Sequence, residues 1–165
     1  MVIGSGAGGA PTAAVLAEAG LDVVLLEAGP RFTPREFARD AASLLPRLYR
    51  TAASDAGLAL YAGACVGGST VVNDCLCWRP PPEVLAAWRG AHGLVGLADD
   101  VLEPFVERVW QDIHASPTGR SNLNRNAHRL ELGARRLGWA AAPMPRNVRG
   151  CRGSGECFTG CRSRA

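Results

Sequence analysis

Three glycines at the spacing Gly4-x-Gly6-x-x-Gly9 open the chain, and one carboxylate, Glu27, lies 18 residues beyond the third of them. Residue types in that order can hold a dinucleotide diphosphate. The first glycine permits a tight turn, the second lets the diphosphate approach the backbone, and the third lets a helix lie close to the strand before it. The N–H groups of Ala7 and Gly8, at the start of that helix, are expected to face the phosphate oxygens. Glu27 stands where a carboxylate can accept hydrogen bonds from the adenosine ribose hydroxyls, and its charge disfavours a 2′-phosphorylated ribose. These residues alone do not choose between FAD and NAD.

A second constellation runs from Tyr61 through Gly63, Gly67, Gly68, Ser69 and Thr70 to Asn73. Closely spaced glycines and hydroxyls can bring a backbone near a ligand and offer N–H and O–H donors to anionic or carbonyl oxygens. Cys65-Val66 and Val71-Val72 flank it and are expected to anchor it in a core. Cys65, Cys75 and Cys77 form one cysteine cluster; Cys151, Cys157 and Cys161 form another. The spacing C-x5-C-x3-C lacks the close pair and the fourth ligand of a tetrathiolate site, so reduced structural thiols and no bound metal are expected. His92, His114 and His128 stand in no recognisable catalytic pattern, and no catalytic residue is assigned.

The elements that must position these groups begin with a strand stub at Val2-Ile3, a helix from Ala10 to Ala19 stopped by Gly20, and an apolar run Val23 to Leu26. That order is a βαβ unit, its second strand expected to be buried on both faces. Ala13, Leu16 and Ala17 supply the helix's apolar face. Residues 31–60 read as irregular and partly helical, with a helix from Arg35 to Leu45 bounded by Pro34 and Pro46. Further helices are expected from Pro82 to Trp88, in two pieces meeting at Pro104 between Asp99 and Ile113, and from Asn124 to Leu137. Phe105, Val109 and Ile113 recur at helical spacing and are expected to be buried, as is the stripe Leu130, Ala134 and Leu137. The rest is loop.

Hydrophobic residues at 47% and charged residues at 20% fit a folded domain and exclude disorder along the whole chain. No apolar run reaches the ~20 residues a membrane span needs, and Met1 is followed by no basic region, so the expected compartment is the cytoplasm. Charge is segregated: residues 1–119 carry 8 arginines against 13 acids, residues 120–165 carry 10 against 2. Zinc-finger spacing and aromatic-interleaved basic stretches are missing, so a nucleic-acid partner is not expected.

Taken together, Gly4 to Gly9, the strand ending Leu26-Glu27-Ala28-Gly29, and Gly67-Gly68-Ser69-Thr70-x-x-Asn73 followed by Arg79-Pro80 resemble the FAD-binding signatures of the glucose-methanol-choline (GMC) oxidoreductase family. Similarity continues through Trp88, Gly133-Ala134, Leu137-Gly138-Trp139 and Pro145-Arg146-Asn147. The run from Gly150-Cys151 to Gly160-Cys161 resembles a branch that includes gluconate-dehydrogenase-like and long-chain-alcohol-oxidase-like members.

The resemblance implies an α/β fold, a Rossmann-like FAD-binding βαβ start followed by mostly helical and loop segments, in an incomplete domain. It implies FAD as cofactor, with Gly4, Gly6, Ala7, Gly8 and Gly9 around the diphosphate and Glu27 at the ribose. Gly63, Gly67, Gly68, Ser69, Thr70 and Asn73 would line the diphosphate, ribityl chain and flavin ring. Residues 1–30 would be the dinucleotide fingerprint, 61–80 the second flavin-contacting loop, 82–140 the helical segments and 147–165 a loop rich in cysteine, glycine and arginine. The implied reaction oxidises an alcohol or sugar CH–OH group, with hydride passing to the flavin and on to oxygen, a quinone or a cytochrome. Only Met1-Val2-Ile3 precede the first glycine, and Arg162-Ser163-Arg164-Ala165 replace the branch's usual continuation. The expectation is therefore an N-terminal fragment, inactive alone and weak in holding FAD, or else a non-catalytic dinucleotide-binding or structural remnant of a truncated gene.

Overall fold

The computed structural model describes residues 1–37, 40–53, 59–163 and 165. They divide into two compact units, Met1–Asp74 with Gly153–Ala165, and Cys75–Arg152.

In the first unit, β1 (Val2–Ile3) and β2 (Leu25–Leu26) pair in parallel, Val2 with Leu25 and Ile3 with Leu26, and α1 (Gly9–Glu18) connects them. The Val2 N–H donates to the Val24 carbonyl at 2.8 Å and the Gly4 N–H to the Leu26 carbonyl at 2.7 Å, so the first glycine leaves the ladder directly into the turn. Ala13 is buried, whereas Ala17 is exposed. The second strand is not buried on both faces: Val24, Leu25 and Leu26 are 55%, 40% and 47% exposed. A two-stranded ladder with one crossover helix has too little neighbouring chain to cover it.

The core of this unit lies further along. Helix α2 (Ala41–Leu48) starts later than Pro34 suggests, because the Asp40 carboxylate caps it by accepting the Ala42 N–H at 3.1 Å. It also runs through Pro46 rather than stopping there. Residues 38 and 39 of the expected Arg35 to Leu45 helix lie outside the described residues. Leu44 and Leu48, four residues apart on one face, are almost wholly buried with Phe37, Cys65 and Val72, and Phe32, Tyr49 and Val71 pack on that cluster. Beyond α2 comes a hairpin that the sequence reading did not anticipate. In it β3 (Tyr49–Ala53) pairs antiparallel with β4 (Ala59–Gly63), Tyr49 opposite Gly63 and Arg50 opposite Ala62. The second glycine-rich segment therefore begins as a strand, then turns through a short 3-10 segment at Gly68–Thr70.

In the second unit, α3 (Pro82–His92) has proline in its first turn and stops at Gly93, whose φ of 62° is left-handed. Helix α4 (Asp99–Asp112) is a single element with Pro104 inside it, not two pieces. Arg79 forms ion pairs with Glu103, at 2.6 Å, and Glu107, one turn apart on α4, and lies 4.8 Å from the centre of the Trp110 ring. The short strands β5 (Ser116–Pro117) and β6 (Pro145–Arg146) pair antiparallel. Between them, α5 (Arg125–Arg136) is capped as expected by Asn124, whose Oδ1 accepts the Ala127 N–H at 2.8 Å.

The helical periods locate apolar faces correctly but not their cover. Phe105, Val109 and Ile113 are 64%, 51% and 38% exposed, and Leu130 and Leu137 are 75% and 65% exposed. They are not core residues within their unit. The arginine-rich tail is partly self-neutralised: Arg120 and Arg135 converge on Glu131 at 2.9 and 2.7 Å, and Arg162 pairs with Glu156.

Candidate functional site

Two glycine segments that lie about 60 residues apart in sequence meet at one cleft of about 640 Å3 in the first unit. Its walls include Gly4, Gly6, Ala7 and Glu27 from the βαβ segment, Gly63, Gly68 and Ser69 from the second, and Arg50 with Ala62 from the hairpin. The backbones approach closely. A Cβ built on Gly68 would lie 3.2 Å from the Gly6 Cα, and one on Gly63 only 2.4 Å from the Gly68 carbonyl carbon. Any side chain at Gly63 would push the second loop off the hairpin. Gly9 does not line the cleft but lets α1 approach the turn closely, because a Cβ there would lie 1.9 Å from the Gly4 carbonyl oxygen. Gly6 and Gly8 face open space, with nothing within 4 Å of an added Cβ.

Glu27 is tied down by the protein itself. Its Oε2 accepts the Ser5 N–H at 2.8 Å and the Ser5 hydroxyl at 2.7 Å, and its Oε1 accepts the Gly29 N–H at 2.8 Å. These donors favour the ionised form and lower its pKa to about 2, the Ser5 hydroxyl contributing most. The Ser5 hydroxyl in turn accepts the Gly67 N–H at 2.8 Å. A relay therefore runs from the end of β2 through Ser5 to the second glycine loop. Ser5, 5% exposed, occupies a variable position of the glycine motif, and sequence reasoning passed over it.

Within the second loop, polar side chains bond the loop's own backbone. The Thr70 hydroxyl donates to the Gly67 carbonyl at 2.6 Å, and the Asn73 amide donates to the Ser69 and Thr70 carbonyls at 2.9 Å. Ser69 Oγ accepts the Gly63 N–H at 2.8 Å. Cys65 and Val72 anchor the loop in the core as expected, while Val66 is 42% exposed. Burial pushes the Cys65 thiol pKa up, with the Glu27 charge adding to the effect, so this cysteine is a packed thiol rather than a nucleophile.

On the other face of the hairpin lies a second cleft, about 690 Å3, walled by Leu45, Pro46, Tyr49, Thr51, Tyr61, Val72 and Phe158 with Ser69, Asn73 and Asp74. Tyr49 closes one side of it, its hydroxyl donating to the Phe158 carbonyl at 2.8 Å. Ser69 borders both clefts.

Residues 3–165 match the profile of the GMC oxidoreductases. The chain belongs to the GMC oxidoreductase family. It is 44% identical over its full length to an uncharacterized GMC-type oxidoreductase of Mycobacterium tuberculosis, covering 27% of that protein. It is 34% identical over 98% of its length to an uncharacterized GMC-type oxidoreductase of Sinorhizobium fredii, covering 33% of it. A long-chain-alcohol oxidase of Arabidopsis thaliana is 32% identical over 98% of the chain, which covers 22% of the plant protein. The chain thus spans about a fifth to a third of the length of these relatives.

The family's N-terminal domain is an FAD-binding one, and the glycine cleft suits such a ligand. Open space lies in front of Gly6, an ionised carboxylate lines the cleft, and the two loops contribute only glycine, alanine and serine to its lining. Of the residues named from sequence, Gly4, Gly6, Ala7, Glu27, Gly63, Gly68 and Ser69 line this cleft. Gly8, Gly9, Gly67 and Thr70 are not among the residues that line it, and Asn73 borders the apolar cleft instead. Among the described residues no group of three or more His, Cys, Asp or Glu side chains is placed to hold a metal, and no helix is long and apolar enough to cross a membrane.

Proposed function

We propose that this chain is the FAD-binding part of an oxidoreductase acting on CH–OH groups of an alcohol or sugar. The observation that supports it best is the meeting of the Gly4–Gly9 turn and the Gly63–Ser69 loop at a single cleft with Glu27 on its wall. FAD, when bound, supplies the acceptor for the two electrons of alcohol oxidation, which the whole enzyme would pass on to oxygen, a quinone or a cytochrome. The chain's own contribution is to bind and orient. N–H groups of Gly6, Ala7 and Gly8 serve the diphosphate, with Gly9 allowing α1 to come close enough for its N-terminus to add favourable charge. Glu27, already ionised, offers its remaining lone pairs to ribose hydroxyls. Gly67 and Gly68, shaped by Thr70 and Asn73, keep the second loop near the rest of the ligand, with Ser69 between the two clefts.

None of His92, His114 and His128 lies in this unit, and the reading includes no general base. We therefore propose that residues 1–165 bind the dinucleotide without oxidising alcohol. The test is titration of the protein with FAD, NAD and NADP, followed by flavin fluorescence and calorimetry, beside an assay of several alcohols with an artificial electron acceptor. Saturable binding that favours FAD is the expected result. No saturation up to millimolar FAD, or preference for NADP, would refute the cofactor assignment; turnover of any alcohol would refute the division of labour.

A further inference from the structure

We infer that Arg50 is a binding residue for the diphosphate of the dinucleotide, an inference that rests on the FAD-binding reading above and assigns a residue outside the glycine motifs. Strand alternation places it. Along β3, Tyr49 and Thr51 border the apolar cleft, whereas Arg50 and its register partner Ala62 border the glycine cleft. The hairpin thus presents aromatic side chains to one side and a guanidinium to the other. Among the described residues, Arg50 is the only cation on the wall of the glycine cleft.

Its neighbours give its place within that cleft. Ala62 opposite it is followed by Gly63, whose backbone touches Gly68, and Gly68 in turn comes up against Gly6 in the diphosphate turn. Small residues along this path leave room for a long side chain to reach ligand oxygens. Glu27, the carboxylate lining the same cleft, is engaged by Ser5 and Gly29, and no ion pair joins it to Arg50 among the described residues. Arg50 is exposed and stands opposite Ala62 at the edge of the glycine-lined hollow.

The charge balance favours this role. A helix N-terminus offers roughly half a positive charge, and a dinucleotide diphosphate is doubly negative. Backbone N–H groups alone leave the ligand's charge under-compensated. A guanidinium supplies a full charge and a planar fork of donors that fits two phosphate oxygens at once, which a point charge does not.

The experiment is calorimetric titration of the wild-type protein and of Arg50→Ala, Arg50→Gln and Arg50→Lys with FAD, ADP, 2′-phosphoadenosine and adenosine, at low and high salt. Arg50→Ala and Arg50→Gln are expected to bind FAD and ADP about tenfold or more weakly, with a shallower salt dependence, and to bind adenosine as the wild type does. Arg50→Lys should recover part of the loss. Unchanged ADP affinity in both neutral variants would overturn the assignment while leaving the FAD reading intact. An equal loss for adenosine would also overturn it, by showing that Arg50 only supports the hairpin. A loss confined to 2′-phosphoadenosine would move Arg50 to the ribose and overturn it in that way. If the wild-type protein binds none of these ligands, the FAD reading falls and this inference falls with it.

Discussion

Replacing Ser5 by alanine removes both halves of the relay that ties the two glycine segments together. The hydroxyl donates to Glu27 and accepts from the Gly67 N–H at 2.8 Å, and the residue is 5% exposed, so water does not readily take its place. A hydrogen bond of ordinary strength contributes about 0.5–1.5 kcal/mol net, and a donor left without its partner costs a similar amount when water reaches it poorly. Gly67 is half-buried, so the Gly67 side of the relay accounts for about 1–2 kcal/mol of lost unfolding free energy.

The Glu27 side of the relay should be visible as a pH dependence. Its carboxyl is lowered from 4.5 to about 2, first by the Ser5 hydroxyl and then by the Gly29 and Ser5 N–H groups. A carboxylate depressed in this way contributes stability that is fully present above its unfolded pKa and is lost as the pH falls toward its folded one. In Ser5→Ala the largest of these donors is gone, so the Glu27 pKa climbs back toward its ordinary value. The stability gap between wild type and variant should therefore be widest near neutral pH and narrow as the pH falls from 4.5 toward about 2. Urea unfolding of both proteins, followed by far-UV circular dichroism at about pH 7, 5 and 3, measures it. A variant as stable as wild type at neutral pH would refute the relay. A gap that stays constant or widens on acidification would refute the part assigned to Glu27.

Gly9→Ala places a Cβ 1.9 Å from the Gly4 carbonyl oxygen, so α1 must shift, and a cost of about 1–3 kcal/mol with weaker FAD binding is expected in the same unfolding and titration assays. Unaltered stability would show that helix and turn do not meet as described. Leu48→Ala, at a site with no exposure, should cost about 2–5 kcal/mol, whereas Leu130→Ala, 75% exposed, should stay within about 0.5 kcal/mol; similar losses at both would refute the placement of the core. Asn124→Ala deletes the cap on α5 and should cost about 1 kcal/mol, with Asn124→Asp recovering most of it by thermal unfolding.

What the sequence discloses here depends on whether the governing contact is local. The βαβ start is legible because each step is decided within a few residues: a glycine turn, a helix whose end is marked by Gly20, and a second apolar run whose ladder partner is the strand just before the helix. The Asn124 cap is legible for the same reason. The β3–β4 hairpin is not, because its alanine-rich strands carry weak strand preference and its register is fixed by packing against α2 and the second glycine loop. Periodicity in Phe105, Val109 and Ile113 identifies an apolar face but contains no term for what covers it, and in this unit that face is open. Glu27 shows the limit most clearly. Its type and spacing mark it as a ribose acceptor, yet the folded chain engages both oxygens with its own donors, through a serine whose other partner is 62 residues away. A loss of affinity in Glu27→Ala would therefore mix a missing ligand contact with a loosened cleft. Ser5→Ala keeps the carboxylate while cutting the tie, so affinity lost in Glu27→Ala beyond that lost in Ser5→Ala belongs to the ligand contact, whereas equal losses would make Glu27 a structural brace that only resembles a ribose acceptor.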